Sequence, residues 1–430
     1  MSGSAPGTTV VPAKILVRGV NWLGDAVMTT PALQRLREAR PADSITMLTS
    51  EKLAELWQGH PAIDRVISFC KADTVPGVAR RLRAEHFDVS LILPNSFRSV
   101  LEVFLARIPV RIGYARNARG FLLTQRIRPR PGERPMRKRS ASEVRLLIRE
   151  RTSSDTAATD SVLPNGGGPH HICNYLHLAQ TLGAVNEPLA PQVAVKPAEA
   201  ERFVEKFGLA EHRKLGIPLF GLNPGGEYGP AKRWPPERFI AAAAEIQRLT
   251  GCCWLIFGGA GDVPVASAIA SALSAESAKN RQPSKLSLVL NLAGKTTLRE
   301  LCSGLSLCSV VLTNDSGPMH LAAAVGSRVV ALFGSTSPQL TAPGIRGDPR
   351  HTIIRVDVPC SPCFRRTCPI DLRCLTRIPE QDAINAVLRV APRPGIQSSR
   401  AINGSSCQGR RASEPRGERR SHQAQAAPAV

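Results

Sequence analysis

The chain has 430 residues, 43% of them hydrophobic, which is enough for two domains of ordinary size, each with its own core. No apolar run approaches the ~20 residues needed to span a bilayer, and residues 1–14 lack the basic start and apolar centre of a secretory signal, so the cytosol is the expected compartment. The net charge of +22 is uneven: residues 128–151 carry nine Lys/Arg and three Glu, and residues 392–430 carry seven Arg and two Glu.

In chain order, strand-length apolar runs alternate with segments of helical period. Strands are expected at 14–20, 44–49, 65–69, 88–93 and 111–114, with helices at 29–39, 51–58, 76–85 and 96–107 between them. From about 128 to 169 this rhythm fails. Arg, Pro, Ser, Thr and Gly dominate there, so a long, basic, mobile insertion is expected, with one weak helix at 142–149. A helix at 171–182 and a linker at 186–196 lead to a second alternating half. Its strands are expected at 220–223, 253–257, 287–291, 310–313 and 328–333. Its helices are expected at 199–207, 236–249, 263–273, 298–305, 319–325 and 380–390. Residues 1–13 and the basic tail 392–430 read as disordered. The pattern gives an α/β protein of two doubly wound domains, 14–185 and 197–391, facing a cleft.

Three strand-to-helix turns carry the chemistry-bearing residues. Asn314-Asp315-Ser316-Gly317-Pro318-Met319-His320 places a carboxylate, a hydroxyl and a glycine where open α/β sheets bind ligands and where helix N-termini hold phosphate. Near the start, Trp22-Leu23-Gly24-Asp25 occupies the same kind of turn. Gly24 would allow close backbone approach, and Asp25 would be either a general base in the cleft or a simple helix cap. The third turn, Asn223-Pro224-Gly225-Gly226-Glu227 through Lys232-Arg233-Trp234-Pro235, offers backbone amides and a lysine to a diphosphate, or is an ordinary polar loop. Asn95, Ser96 and Arg98 follow the strand at 88–93. Ser96 is explained equally by a helix cap, and Arg98 and Arg111 would suit an anionic acceptor.

Together these segments, with Leu332-Phe333-Gly334-Ser335-Thr336 and Cys360-Ser361-Pro362-Cys363, resemble the ADP-heptose:lipopolysaccharide heptosyltransferases of glycosyltransferase family 9, most closely the heptosyltransferase II branch. The resemblance implies a GT-B fold of two Rossmann-like domains, the first binding acceptor and the second ADP-heptose. It implies an inverting, metal-independent transfer to the first heptose of a Kdo-lipid A core, with no cofactor. Carried onto this chain, it makes Asp25 the base and Lys232 the cation that stabilises the departing diphosphate. Gly225, Gly226, Glu227, Asp315, Ser316, Gly317 and His320 become donor-binding. Gly24, Asn95, Ser96, Arg98 and Arg111 are the expected acceptor side.

The basic segments are read either as solvated chain or as surface for the inner face of the cytoplasmic membrane, where the enzyme would sit peripherally. No nucleic-acid partner is expected, because only three Tyr are present and aromatic residues do not interleave with basic ones. Cys360, Cys363, Cys368 and Cys374 are spaced so that a structural zinc is one reading, against free thiols. The rival functions are heptosyltransferase I or another nucleotide-sugar transferase and, from a different class, a non-catalytic nucleotide-sugar or nucleic-acid binding protein.

Overall fold

The computed structural model describes residues 12–391 apart from 132, 151–167, 280–287 and 346. The tail 392–430 and almost all of the segment 1–13 lie outside the described residues. Twelve strands form two sheets. The first holds β1 (Lys14–Arg18), β2 (Ser44–Ser50), β3 (Arg65–Phe69), β4 (Val89–Ile92), β5 (Val110–Tyr114) and β6 (Gln125–Ile127). The second holds β7 (Leu219–Asn223), β8 (Cys253–Ile256), β9 (Val289–Asn291), β10 (Val310–Asn314), β11 (Arg328–Leu332) and β12 (His351–Ile354).

The orders are β3-β2-β1-β4-β5-β6 and β12-β11-β10-β7-β8-β9, and every pairing is parallel. Each half is therefore one doubly wound sheet whose order reverses beside its first strand, at β1/β4 and at β7/β10. This is the two-sheet architecture expected of GT-B. Parallel strands covered on both faces must be apolar along their whole length. Accordingly Val310–Asn314 is buried at all five positions. β6 and β12 were not anticipated; Gln125–Ile127 is short, two-thirds exposed and has no hydrophobic run to announce it.

Helix ends follow local chemistry. Thr74 caps the helix Val75–Ala84 by accepting from the Gly77 amide, with Pro76 in its first turn. Thr297 and Glu300 form a capping box on Leu298–Leu307, and Gly251, at φ +65°, ends Pro236–Thr250.

The two halves share one hydrophobic cluster, which runs from Ile15, Val27 and Leu33 to Met319, Leu321 and Phe333. Its centre is the packing of the helix Leu23–Ala39 on the helix Gly317–Ala324. The expected linker is clamped there: the Gln192 amide donates to Thr30 Oγ1 at 3.2 Å, and the Val193 amide to the Ala324 carbonyl at 3.1 Å.

The basic insertion departs from its expected form. Residues 133–150 are docked rather than loose, and 151–167 lie outside the described residues. The Arg139 amide and guanidinium donate to the Cys363 and Pro359 carbonyls, and Arg365 donates back to the Arg139 carbonyl at 3.0 Å. The helix Ala141–Glu150 then buries Val144 in the second half's core. Arginine density masked this docking, since the guanidiniums that bind backbone carbonyls are indistinguishable in sequence from solvated ones.

Candidate functional site

The carboxyl ends of β1, β7 and β10, at the two reversal points, open into one cleft of about 960 Å³. Trp22, Gly24 and Asp25 line it from the first half. Gly225, Gly226, Lys232, Asp315, Ser316, Gly317 and Thr336 line it from the second.

The cleft can close tightly because two glycines meet at its floor. A Cβ at Gly24 would lie 2.7 Å from the ring Cδ2 of His320, and one at Gly317 would lie 2.9 Å from Leu23 Cβ. Two helices thus point their N-termini at one space, and neither Trp22 nor Ser316 closes its helix with a side-chain cap. Open amides at such termini attract anions.

Lys232 Nζ stands 2.6 Å from Asp315 Oδ2, with side chains 13% and 4% exposed. Thr336 Oγ1 donates to the same oxygen, so Asp315 Oδ2 holds Lys232 in place with a second donor beside it. The lysine also lies over the Tyr228 ring, whose hydroxyl donates to the Phe364 carbonyl at 2.7 Å. Behind the glycine loop, Asn314 Nδ2 donates to the Pro224 and Gly225 carbonyls while Asn314 Oδ1 accepts from the Trp234 amide. Asn223 donates to Thr313 and Ser316 at 3.1 and 2.9 Å. A Cβ at Gly225 would meet the Asp262 carboxylate at 2.4 Å, so a side chain here would have to displace Asp262.

Asp25 lies in the first turn of its helix, about a third exposed, with His171 Nδ1 4.0 Å from its carboxylate. Burial holds its pKa above the ordinary carboxylate value, against the pull of His171 and Lys232; the charge of Asp315 adds to the rise. Burial lowers His171 in turn, against the pull of Asp25. His320 is pushed down to about 4 by burial, so it meets the cleft as a neutral ring at physiological pH.

The glycosyltransferase family 9 (heptosyltransferase) profile matches residues 149–373, just over half of the chain. The chain belongs to glycosyltransferase family 9. It is 30% identical to the lipooligosaccharide heptosyltransferase 2 of Haemophilus influenzae over 334 residues, 76% of this chain and 85% of that one. The lipopolysaccharide heptosyltransferase 2 of Escherichia coli K12 is 29% identical over 343 residues, 77% and 85% of the two chains. The solved E. coli ADP-heptose lps heptosyltransferase II superposes with a TM-score of 0.66 at 25% identity, covering 88% of this chain and 98% of that one.

Within this family 9 cleft, the sequence-derived residues divide. Gly24, Asp25, Gly225, Gly226, Glu227, Lys232, Asp315, Ser316, Gly317 and His320 all line it. Glu227 is exposed, 3.9 Å from the exposed Lys52 of the first half, a pairing of little energetic weight.

The other four do not line it. Ser96 caps the helix Phe97–Leu105 by accepting from the Ser99 amide, and Asn95 Oδ1 accepts from Arg119. Arg98 binds Glu102 and the Asp73 carbonyl. Arg111 binds the Leu122, Ile108 and Pro109 carbonyls from the amino-terminal part of β5, toward the edge of the sheet away from the cleft.

Sequence reasoning missed His171, Thr336, Tyr228, Lys138 and Arg366, all on the cleft wall. The His170-His171 pair opening a helix was a signal for the first. Lys138 arrives only because the insertion docks.

The four clustered cysteines line a small cavity together with Val144 and Ala231. Burial pushes the Cys360 thiol up to about 11 and Cys374 to about 12, and raises Cys363 as well. Cys360 and Cys374 are thus thiols at neutral pH, and among the described residues no group of three or more His, Cys, Asp or Glu could hold a metal ion.

Proposed function

We propose that the protein is an inverting heptosyltransferase that moves heptose from ADP-heptose to the first heptose of a lipopolysaccharide inner core. The observation that carries this reading is the placement of Asp25 and the Lys232–Asp315 pair on opposite walls of one cleft. The relatives named heptosyltransferase 2, each matched over most of its length, support the same acceptor.

The diphosphate would lie against the amides of Gly225, Gly226, Ser316 and Gly317, with Lys232 beside its leaving oxygen. Asp25 would accept the proton of the acceptor hydroxyl as that oxygen attacks the anomeric carbon. The bond to the phosphate oxygen breaks in the same displacement, and ADP departs with the electron pair. The raised pKa makes Asp25 a stronger base than an exposed carboxylate. The reading includes neither metal nor cofactor. A lipid-borne acceptor places the enzyme at the cytoplasmic face of the inner membrane. No helix among the described residues is long and apolar enough to cross it.

The test is ADP release from ADP-heptose with a mono-heptosylated Kdo-lipid A acceptor, with Asp25→Ala alongside. Acceptor-dependent release, lost in the variant while ADP binding persists, supports the activity and the base. Turnover only on the heptose-free acceptor would reassign the protein as heptosyltransferase I. Tight ADP binding with no turnover on either acceptor would sink the enzyme reading in favour of a non-catalytic nucleotide-sugar binder.

A further inference from the structure

Helix Phe97–Leu105 turns apolar side chains outward. Phe97 is 46% and Phe104 40% exposed, and Leu101 and Leu105 beside them are only half-buried. Positions 97, 101, 104 and 105 share one helix face. Phe121, 66% exposed, stands next to Phe97, with ring centroids 6.3 Å apart. Scattered single apolar residues on a surface need no explanation, but a contiguous group of this kind marks a contact site.

The chain segment that forms the patch is rich in one sign of charge. From Val89 to Pro131 the chain carries eight arginines and a single acid, Glu102. Glu102 is fully buried and already bound by Arg18 and Arg98. Arg107, Arg126 and Arg128 are exposed, and no ion pair among the described residues involves them. Arg126 lies on β6, the edge strand, with its Cδ close to Gly120, directly beside Phe121. An arginine on an edge strand also discourages unwanted strand pairing, but that role gives no reason for the adjacent phenylalanines.

We infer that this face, formed by helix Phe97–Leu105, the turn Gly120–Leu122 and β6, docks on an anionic lipid bilayer. Aromatic side chains settle at the headgroup level and arginines pair with anionic lipid there. Phe97 follows β4 at the carboxyl edge of the first sheet, the edge that opens into the cleft at β1, while Phe104 and Phe121 carry the same face back toward Arg111. A bilayer on that face would lie beside the cleft mouth, within reach of Asp25 for sugar carried on a lipid anchor. The inference deepens the lipid-acceptor reading, yet its test needs no sugar chemistry.

The experiment is co-sedimentation of the full chain with phosphatidylglycerol–phosphatidylcholine vesicles and with phosphatidylcholine vesicles alone, at low and high salt. Three variants accompany it: Phe121→Ser, Phe97→Ser with Phe121→Ser, and Arg126→Ser with Arg128→Ser. Binding should require the anionic lipid and weaken with salt. The double variants should each lose about ten-fold or more of the partitioning, with thermal unfolding and ADP affinity unchanged. Phe121→Ser, the mildest change, should show a smaller loss in the same direction. Unchanged partitioning in all three variants would overturn the inference and assign any vesicle binding to other basic segments. Tighter binding to duplex DNA than to the vesicles would overturn it too. Loss of vesicle binding in the variants with no turnover on any acceptor would sustain this surface while removing the transferase reading.

Discussion

Gly24 and His320 touch across the joint between the two halves: the ring edge occupies the space a side chain at 24 would need, 2.7 Å from its Cβ. Gly24→Ala must therefore push the ring, or the helix Leu23–Ala39, out of place. Overpacking of this kind costs about 1–3 kcal/mol. The expected result is a lower melting temperature together with at least a ten-fold loss of turnover, because the same displacement moves Asp25. Calorimetry and ADP release on one preparation check both; wild-type turnover in Gly24→Ala would show that the joint is not needed for catalysis.

Removing Lys232 leaves Asp315 buried with only Thr336 as a hydrogen-bond donor. Breaking one side of a buried pair costs about 3–5 kcal/mol, whereas replacing both partners with neutral groups is often tolerated. Lys232→Ala should thus lose stability and turnover together. Lys232→Met combined with Asp315→Asn should regain most of the stability and none of the turnover. Denaturant unfolding of the two variants separates the outcomes, and recovery of activity in the double variant would count against Lys232 as the diphosphate cation.

Burial raises the folded-state pKa of Asp25 above the ordinary aspartate value of 3.8. The unfolded chain therefore releases this proton more readily than the folded one. The associated stability is full below pH ~4 and is lost as pH rises through the raised value. Asp25→Asn should consequently melt higher than wild type at pH 7, the gain vanishing near pH 4, while turnover is abolished. In the wild type, turnover should rise with pH across an apparent pKa above the usual carboxylate range. A melting temperature in Asp25→Asn at or below that of wild type at pH 7 would refute the electrostatic reading.

His60, His320 and His351 are each pushed down to about 4 by burial, from 6.5. Between those values the unfolded chain binds protons that the folded chain refuses. Their contribution to stability is complete above pH ~6.5 and is lost as pH falls toward 4. Melting temperature should drop across that window, and His60→Gln, remote from the cleft chemistry, should flatten the slope. A slope unchanged by the substitution would assign the acid sensitivity to other groups.

Both sheets and most of the cleft were legible in the residues, for one physical reason. Buried parallel strands are continuous apolar runs, and the turns that leave them need glycine wherever backbone must come close. That logic reached Gly24, Gly225 and Gly317, each of which proves to lack room for a Cβ. Position in space is less legible than position along the chain. Arg98 and Arg111 read as contacts for an anionic acceptor, and Arg111 lies in the amino-terminal part of its strand. His171 comes within 4.0 Å of Asp25 through tertiary packing alone. Helix Ala141–Glu150 carries too many charges for periodicity to reveal that Val144 is its anchor.

That anchor has a mechanical consequence. The polypeptide leaves β6, fastens to the second half through Arg139 and Val144, and returns to the first half at the helix His171–Ala179. It then crosses once more at residues 192–193. The halves are sewn together by several passages of chain instead of being hung on a single hinge. Substrate exchange should therefore proceed by a shallow parting of the two walls, and dyes placed on either side should report a narrow range of separations with and without ADP.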